Sequence, residues 1–125
     1  GAVYVFVRTA AGWTEEAYIK PTNSGGAFGG VGSLDLTDDL LLVGAQGESS
    51  SAHGLEGDPL DRSAPGAGAA YVYRRRSSGW TEGTYLKSTD TAPYAGFGGC
   101  AAVDAGSGTL LLSGSGAFYF FEEAP

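Results

Sequence analysis

The chain has 125 residues, enough for one ordinary domain, with 22 glycines, an aromatic fraction of 12% and a net charge of −7. The aromatics set it apart from disordered chains, and the acidic balance argues against nucleic acid and anionic membranes as partners. No stretch approaches the run of about 20 apolar residues that a spanning helix needs, so no membrane insertion is expected.

The first element runs from Ala2 to Val7, with Tyr4 and Phe6 on one face and valines on the other, so both faces want cover. The loop Thr9-Ala10-Ala11-Gly12 returns the chain as a hairpin. In the strand that follows, Trp13, Ala17 and Ile19 share a face with Glu15, while Thr14, Glu16 and Lys20 share the other with Tyr18. Charges of this kind suit a sheet edge. Phe28-Gly29-Gly30 is read as the next strand, and Leu40-Leu41-Leu42-Val43 as a strand buried on both faces. Residues 46–67 are rich in Gly, Ser, Ala and acidic residues. They are expected to form a surface excursion without a core of its own, and such excursions tend to be functional or mobile.

The chain then repeats itself. Gly68-Ala69-Ala70-Tyr71-Val72-Tyr73-Arg74-Arg75 and Gly79-Trp80-Thr81-Glu82-Gly83-Thr84-Tyr85-Leu86-Lys87 match the opening twenty residues at an offset of 67, with eleven identities and no gap. Phe97-Gly98-Gly99 matches Phe28-Gly29-Gly30, Leu111-Leu112 matches Leu41-Leu42, and Gly116-Ala117-Phe118-Tyr119-Phe120-Phe121 is a third copy of the opening run. A repeat of this size implies stacked supersecondary units, none of which buries its apolar faces alone. Four strands in fixed order fit one blade of a β-propeller better than a sandwich or an open solenoid. The aromatics Tyr4, Phe6, Tyr71, Tyr73, Phe118 and Phe120 are expected to pack between units, with Trp13 and Trp80 as outer-strand anchors. No helix longer than a turn or two is expected.

Chemistry finds little purchase. The only histidine is His53, no Gly-x-Ser-x-Gly elbow precedes a helix, and the single cysteine excludes an internal disulfide. Cys100 takes the place of Val31 in the other copy and is expected to be a small packed side chain. Glu48, Glu56, Asp58 and Asp61 lie near His53 in the excursion, where a solvated loop is the simpler reading than a metal site. Arg74-Arg75-Arg76 reads as a solvated turn.

Phe28-Gly29-Gly30 followed by Leu42-Val43-Gly44-Ala45, with Gly-Ala-Val-Tyr-Val-Phe and Gly-Trp-Thr-x-x-x-Tyr-x-Lys, resembles the FG-GAP repeat of integrin α-subunit propellers, in its bacterial branch. The resemblance runs from Gly1 to about Glu123, with one Gly-Ala replaced by Gly114-Ser115. It implies an all-β chain of about two blade equivalents in an incomplete ring: an outer hairpin (1–20), one complete blade (28–87, with the insert 46–67) and three strands of the next (97–121). In the family the Phe-Gly strand is innermost. The family also binds Ca²⁺ between the Phe-Gly and Leu-rich strands. Asp35, Asp38 and Asp39 occupy that link without the alternating spacing and glycine of the pattern, and they are the candidate metal residues against plain turn chemistry.

The reading is of a non-catalytic, extracellular or cell-envelope module without a resident cofactor, recognising protein or glycan. The alternatives are a propeller subdomain of a larger secreted hydrolase and a self-assembling fragment. Methionine is absent, and two blade equivalents do not close a ring. Neighbouring blades are therefore expected from a longer chain or from other copies.

Overall fold

The computed structural model describes residues 1–23, 26–55 and 57–122, and among them are nine strands and no helix. Strands β1 (Val3–Thr9) and β2 (Gly12–Ile19) form a hairpin. Strands β3 (Leu34–Leu36), β4 (Leu40–Ala45), β5 (Ala69–Arg76) and β6 (Gly79–Leu86) make a four-stranded antiparallel sheet in chain order. Strands β7 (Ala101–Val103), β8 (Leu110–Gly114) and β9 (Ala117–Phe121) make a three-stranded one.

The repeat reaches into local irregularities. The β1–β2 ladder shifts register between Val5 and Phe6, and the β5–β6 ladder between Val72 and Tyr73, the same repeat positions. Tyr4 stacks on Tyr18 at 4.9 Å and 54°, and Tyr71 on Tyr85 at 5.3 Å and 52°.

The three sheets stack broadside in one repeated sense. Val3, Val5 and Ile19 of the hairpin share a core cluster with Tyr71, Tyr73 and Tyr85 of the middle sheet. On the opposite face, Ala70, Val72 and Leu86 share a cluster with Leu110 and Leu112 of the third sheet, against which Tyr119 and Phe121 pack. Val3, Val5 and Ile19 are the repeat counterparts of Ala70, Val72 and Leu86. Each sheet therefore offers its aliphatic face to the aromatic face of the next. The middle sheet is covered on both sides, which is why every residue of β4 is buried. A continuous apolar run is what such a strand requires.

Glycine sets how closely the sheets approach. A Cβ on Gly44 would stand 1.9 Å from the Gly98 carbonyl oxygen, and one on Gly68 2.2 Å from that of Phe97. The equivalent contact at Gly1 is 2.1 Å from the Phe28 oxygen, whereas Gly116 of the last unit meets nothing within 4 Å. The glycine that opens each of the first two Gly-Ala-x-Tyr runs, Gly1 and Gly68, is thus where the following phenylalanine segment lies against it. Gly44→Ala is expected to cost about 1–3 kcal/mol by overpacking. Gly106→Ala, whose added carbon would come no nearer than 3.6 Å to Asp104, is expected to stay within about 0.5 kcal/mol of the parent. Urea denaturation of the two variants checks the contrast.

Three expectations are corrected. The Phe-Gly-Gly segments are not strands: Gly29 and Gly98 have φ of 70° and 83°, which bend the chain, and Phe28 makes only an isolated bridge to Ala45. The first strands of the four- and three-stranded sheets are β3 and β7, which lie further along. Cys100, expected to be packed, is exposed, because it sits in the connection before β7. In the third sheet, Tyr119 and Phe121 face the core, while Phe118 and Phe120 are 67% and 70% exposed. The alternation there places the inward aromatics one residue later than expected.

Candidate functional site

The excursion between β4 and β5 is built around a buried polar centre. Glu48 and Lys87 are both fully buried, and Lys87 Nζ donates to Glu48 Oε2 at 2.8 Å and to the Gly68 carbonyl at 2.6 Å. Glu48 Oε1 accepts from Asn23 Nδ2 at 3.2 Å and from the Ser50 amide at 2.9 Å. Asn23 Nδ2 also donates to the Pro59 carbonyl at 2.6 Å, and the Tyr71 hydroxyl donates to Asn23 Oδ1. A buried charge survives only with partners of this kind. Burial nevertheless holds the Lys87 ammonium below the ordinary lysine range, with Glu48 opposing that effect.

The excursion, expected to be a surface segment without a core of its own, is held to the body by these buried groups. Ser50, Ala64 and Ala67 are buried as well as Glu48. The excursion is also tied to the body by backbone. Lys87 donates its amide to Gly54 at 2.7 Å, Leu55 bridges Leu86, and Phe97 donates to Ala67 at 2.9 Å. Its outer turns are self-bonded. Asp61 accepts from the Ser51 amide and hydroxyl at 2.7 Å each and from the Ser63 hydroxyl at 2.8 Å, and these bonds hold its carboxyl well below the usual range. Asp58 Oδ1 accepts from the Leu60 amide at 2.9 Å. What remains outward is Leu55 and Leu60, 57% and 67% exposed, beside exposed His53 and Arg62. Glu56 lies outside the described residues.

Tyr85 is the one flaw in the centre among the described residues. Its hydroxyl is buried and has no hydrogen-bond partner. Tyr85→Phe is expected to leave stability unchanged or raise it by about 1 kcal/mol, because it removes an unsatisfied polar atom. Tyr71→Phe orphans the Asn23 carbonyl oxygen and is expected to cost about 1–3 kcal/mol. Thermal melts of the pair separate the two cases.

Of the candidate metal residues, Asp35 and Asp39 accept hydrogen bonds within the protein and Asp38 is exposed in the link between β3 and β4. Asp35 lies in β3, where its Oδ1 accepts from the Leu36 amide at 2.9 Å and its Oδ2 from the Val103 amide at 2.8 Å. The second bond ties the middle sheet to β7. Asp39 Oδ1 accepts from the Thr37 hydroxyl at 3.3 Å. No group of three or more His, Cys, Asp or Glu side chains placed to hold a metal ion is found among the described residues. Asp35→Ala is expected to cost about 1–3 kcal/mol with or without millimolar Ca²⁺. A cost seen only when Ca²⁺ is present would assign Asp35 to a metal instead.

The basic cluster is partly engaged: Arg75 pairs with Glu16, which also accepts from the Trp80 indole at 3.0 Å. The indole first and the guanidinium second hold the Glu16 carboxyl below its ordinary value. Trp80 thereby anchors β6 to β2, whereas Trp13 is 71% exposed.

Sequence reasoning missed the Glu48–Lys87 pair. The one available signal was the lysine that closes both copies of the repeat, Lys20 and Lys87. A Tyr–Asx contact that joins units was missed too: Tyr71 donates to Asn23, and at the equivalent place Tyr119 donates to Asp90 Oδ1 at 2.6 Å. What the geometry defines is a protein of stacked antiparallel sheets with one large, internally bonded loop. No family model, curated protein or solved structure matches the chain.

Proposed function

We propose that the chain is a segment of an FG-GAP-type β-propeller, serving outside the cell or in its envelope as a non-catalytic recognition scaffold for protein or glycan. The observation that carries this reading is the repeated stacking, in which the aliphatic face of each sheet meets the aromatic face of the next. Units added in that sense build a ring of radially arranged sheets. Function on such a scaffold belongs to loops held rigidly at its rim. The excursion is the largest of them: its inner side is locked by Glu48 and Lys87, and its outer side presents Leu55, Leu60 and Arg62. A preorganised loop binds with a smaller ordering cost than a mobile one.

The experiment is binding of the chain to arrays of glycans and of extracellular proteins, repeated with Leu60→Asp and Arg62→Glu. The expected result is a ligand retained by the parent and weakened about tenfold or more by either substitution, with melting temperature unchanged. A ligand held equally well by both variants, or the absence of any ligand, contradicts the assignment.

A further inference from the structure

One exposed ring stands on a backbone that side chains of its size rarely adopt. Tyr94, in the connection between β6 and β7, has φ of 61° and is 82% exposed. Such a conformation persists only where the surroundings enforce it. Here two loops do so. The Tyr94 amide donates to the Pro65 carbonyl of the excursion at 2.8 Å, and Gly96 and Phe97 continue the pairing to Gly66 at 3.0 Å and Ala67 at 2.9 Å. On the other side the Ser115 amide, in the β8–β9 turn, donates to Ala95 at 2.7 Å. Gly66 leaves room for the ring, since a Cβ there would stand 3.3 Å from Tyr94 Cδ1. The ring is thus held out between two loops that are both in place. Its exposure means that burial offsets little of the backbone strain.

We infer that Tyr94 is a stacking platform for a pyranose ring, which makes the ligand of this rim a neutral glycan. The platform rests on the recognition reading and narrows its ligand to one class. A sugar ring has a face rich in C–H groups, which packs on the electron-rich face of an aromatic ring while its hydroxyls stay wet at the edge. Tyrosine suits this, because it offers a rigid apolar body with few torsions to fix. Arg62 and Ser63, exposed just before Pro65, carry donors and an acceptor of the kind that sugar hydroxyls need. A protein partner would ask for an apolar patch of several large side chains. The exposed residues beside Tyr94 are instead Pro65, Ala92 and Pro93. The net charge of −7 disfavours acidic glycans.

The probe is a panel of neutral oligosaccharides of glucose, mannose and galactose, titrated into the chain and followed by proton NMR. Saturable binding of at least one is expected, with sugar C–H signals moved upfield by the tyrosine ring current. Tyr94→Ala is expected to weaken that binding about tenfold or more. Tyr94→Phe and Tyr94→Trp are expected to keep it, because the ring face and not the hydroxyl makes the contact. Tyr94→Gly removes the platform and relieves the backbone, so binding is lost while the melting temperature stays or rises. A melting temperature lowered by Tyr94→Gly would make the ring a prop for the loops and overturn the proposal. A glycan weakened by Leu60→Asp but not by Tyr94→Ala overturns it too, as does a protein ligand with no oligosaccharide bound. Both of these leave the recognition reading standing, whereas the absence of any ligand of either class removes both.

Discussion

Replacing Lys87 by methionine is expected to lower the unfolding free energy by about 3–5 kcal/mol, because it leaves the Glu48 carboxylate buried without its counter-charge. Lys20→Met, at the same repeat position in the exposed hairpin, is expected to change it by less than about 0.5 kcal/mol. Glu48→Gln keeps the shape and the acceptor for Asn23, but strands the ammonium, and a loss of similar size is expected. Glu48→Met with Lys87→Met removes both charges together. It should recover part of the loss, but not all, since Asn23 and the Ser50 amide still lose an acceptor. Urea denaturation of these variants, with the single Glu48→Met to close the cycle, gives the coupling energy between the two side chains. Equal, small losses at Lys20 and Lys87 would show that the pair is not buried in solution.

The second large effect is alkaline. Tyr71, Tyr73 and Tyr85 are 0%, 4% and 8% exposed. Burial raises the phenol of each far above its ordinary value, and the negative charge of Glu48 adds to this at Tyr71 and Tyr85, that of Glu82 at Tyr73. The folded protein therefore keeps protons that the unfolded chain loses above pH ~10. In that range stability falls with pH. Each tyrosine contributes a slope approaching about 1.4 kcal/mol per pH unit, so the three together approach about 4 kcal/mol per unit. Lys87 acts with the opposite sign. Its folded value is lowered, so stability rises with pH from that value up to the ordinary lysine range near 10.5. Three acids outweigh one base, and the expected profile turns over near pH ~10 and then drops steeply. Tyrosinate absorbance should appear together with unfolding, not before it. Tyr85→Phe is expected to remove about a third of the falling slope.

Much of the fold was legible because repetition is a long-range signal carried by local residues. The twenty-residue match between Gly1–Lys20 and Gly68–Lys87 placed both hairpins, and the apolar runs at Leu40 and Leu110 placed the strands between them. The Phe-Gly-Gly segments misled because phenylalanine favours strands, whereas Gly29 and Gly98 adopt a backbone that ends one. That misplacement carried Cys100 into a strand it precedes. It also left Asp35 in a link, when its carboxylate in fact joins β3 to β7. Glu48 was illegible for a different reason: its partner is 39 positions away, and the surrounding Gly, Ser and Ala carry no apolar period to announce burial. The aromatic order in the third sheet turned on a single position, since a shift of one residue exchanges the two faces of a strand.

Nuclear Overhauser contacts between methyl groups and aromatic rings test the stacking most directly. The account predicts contacts from Val3 and Val5 to the rings of Tyr71 and Tyr73, and from Ala70 and Val72 to those of Tyr119 and Phe121. Contacts from Val3 and Val5 to Val72 and Leu86 instead, or from Phe118 and Phe120 to the middle sheet, would contradict it.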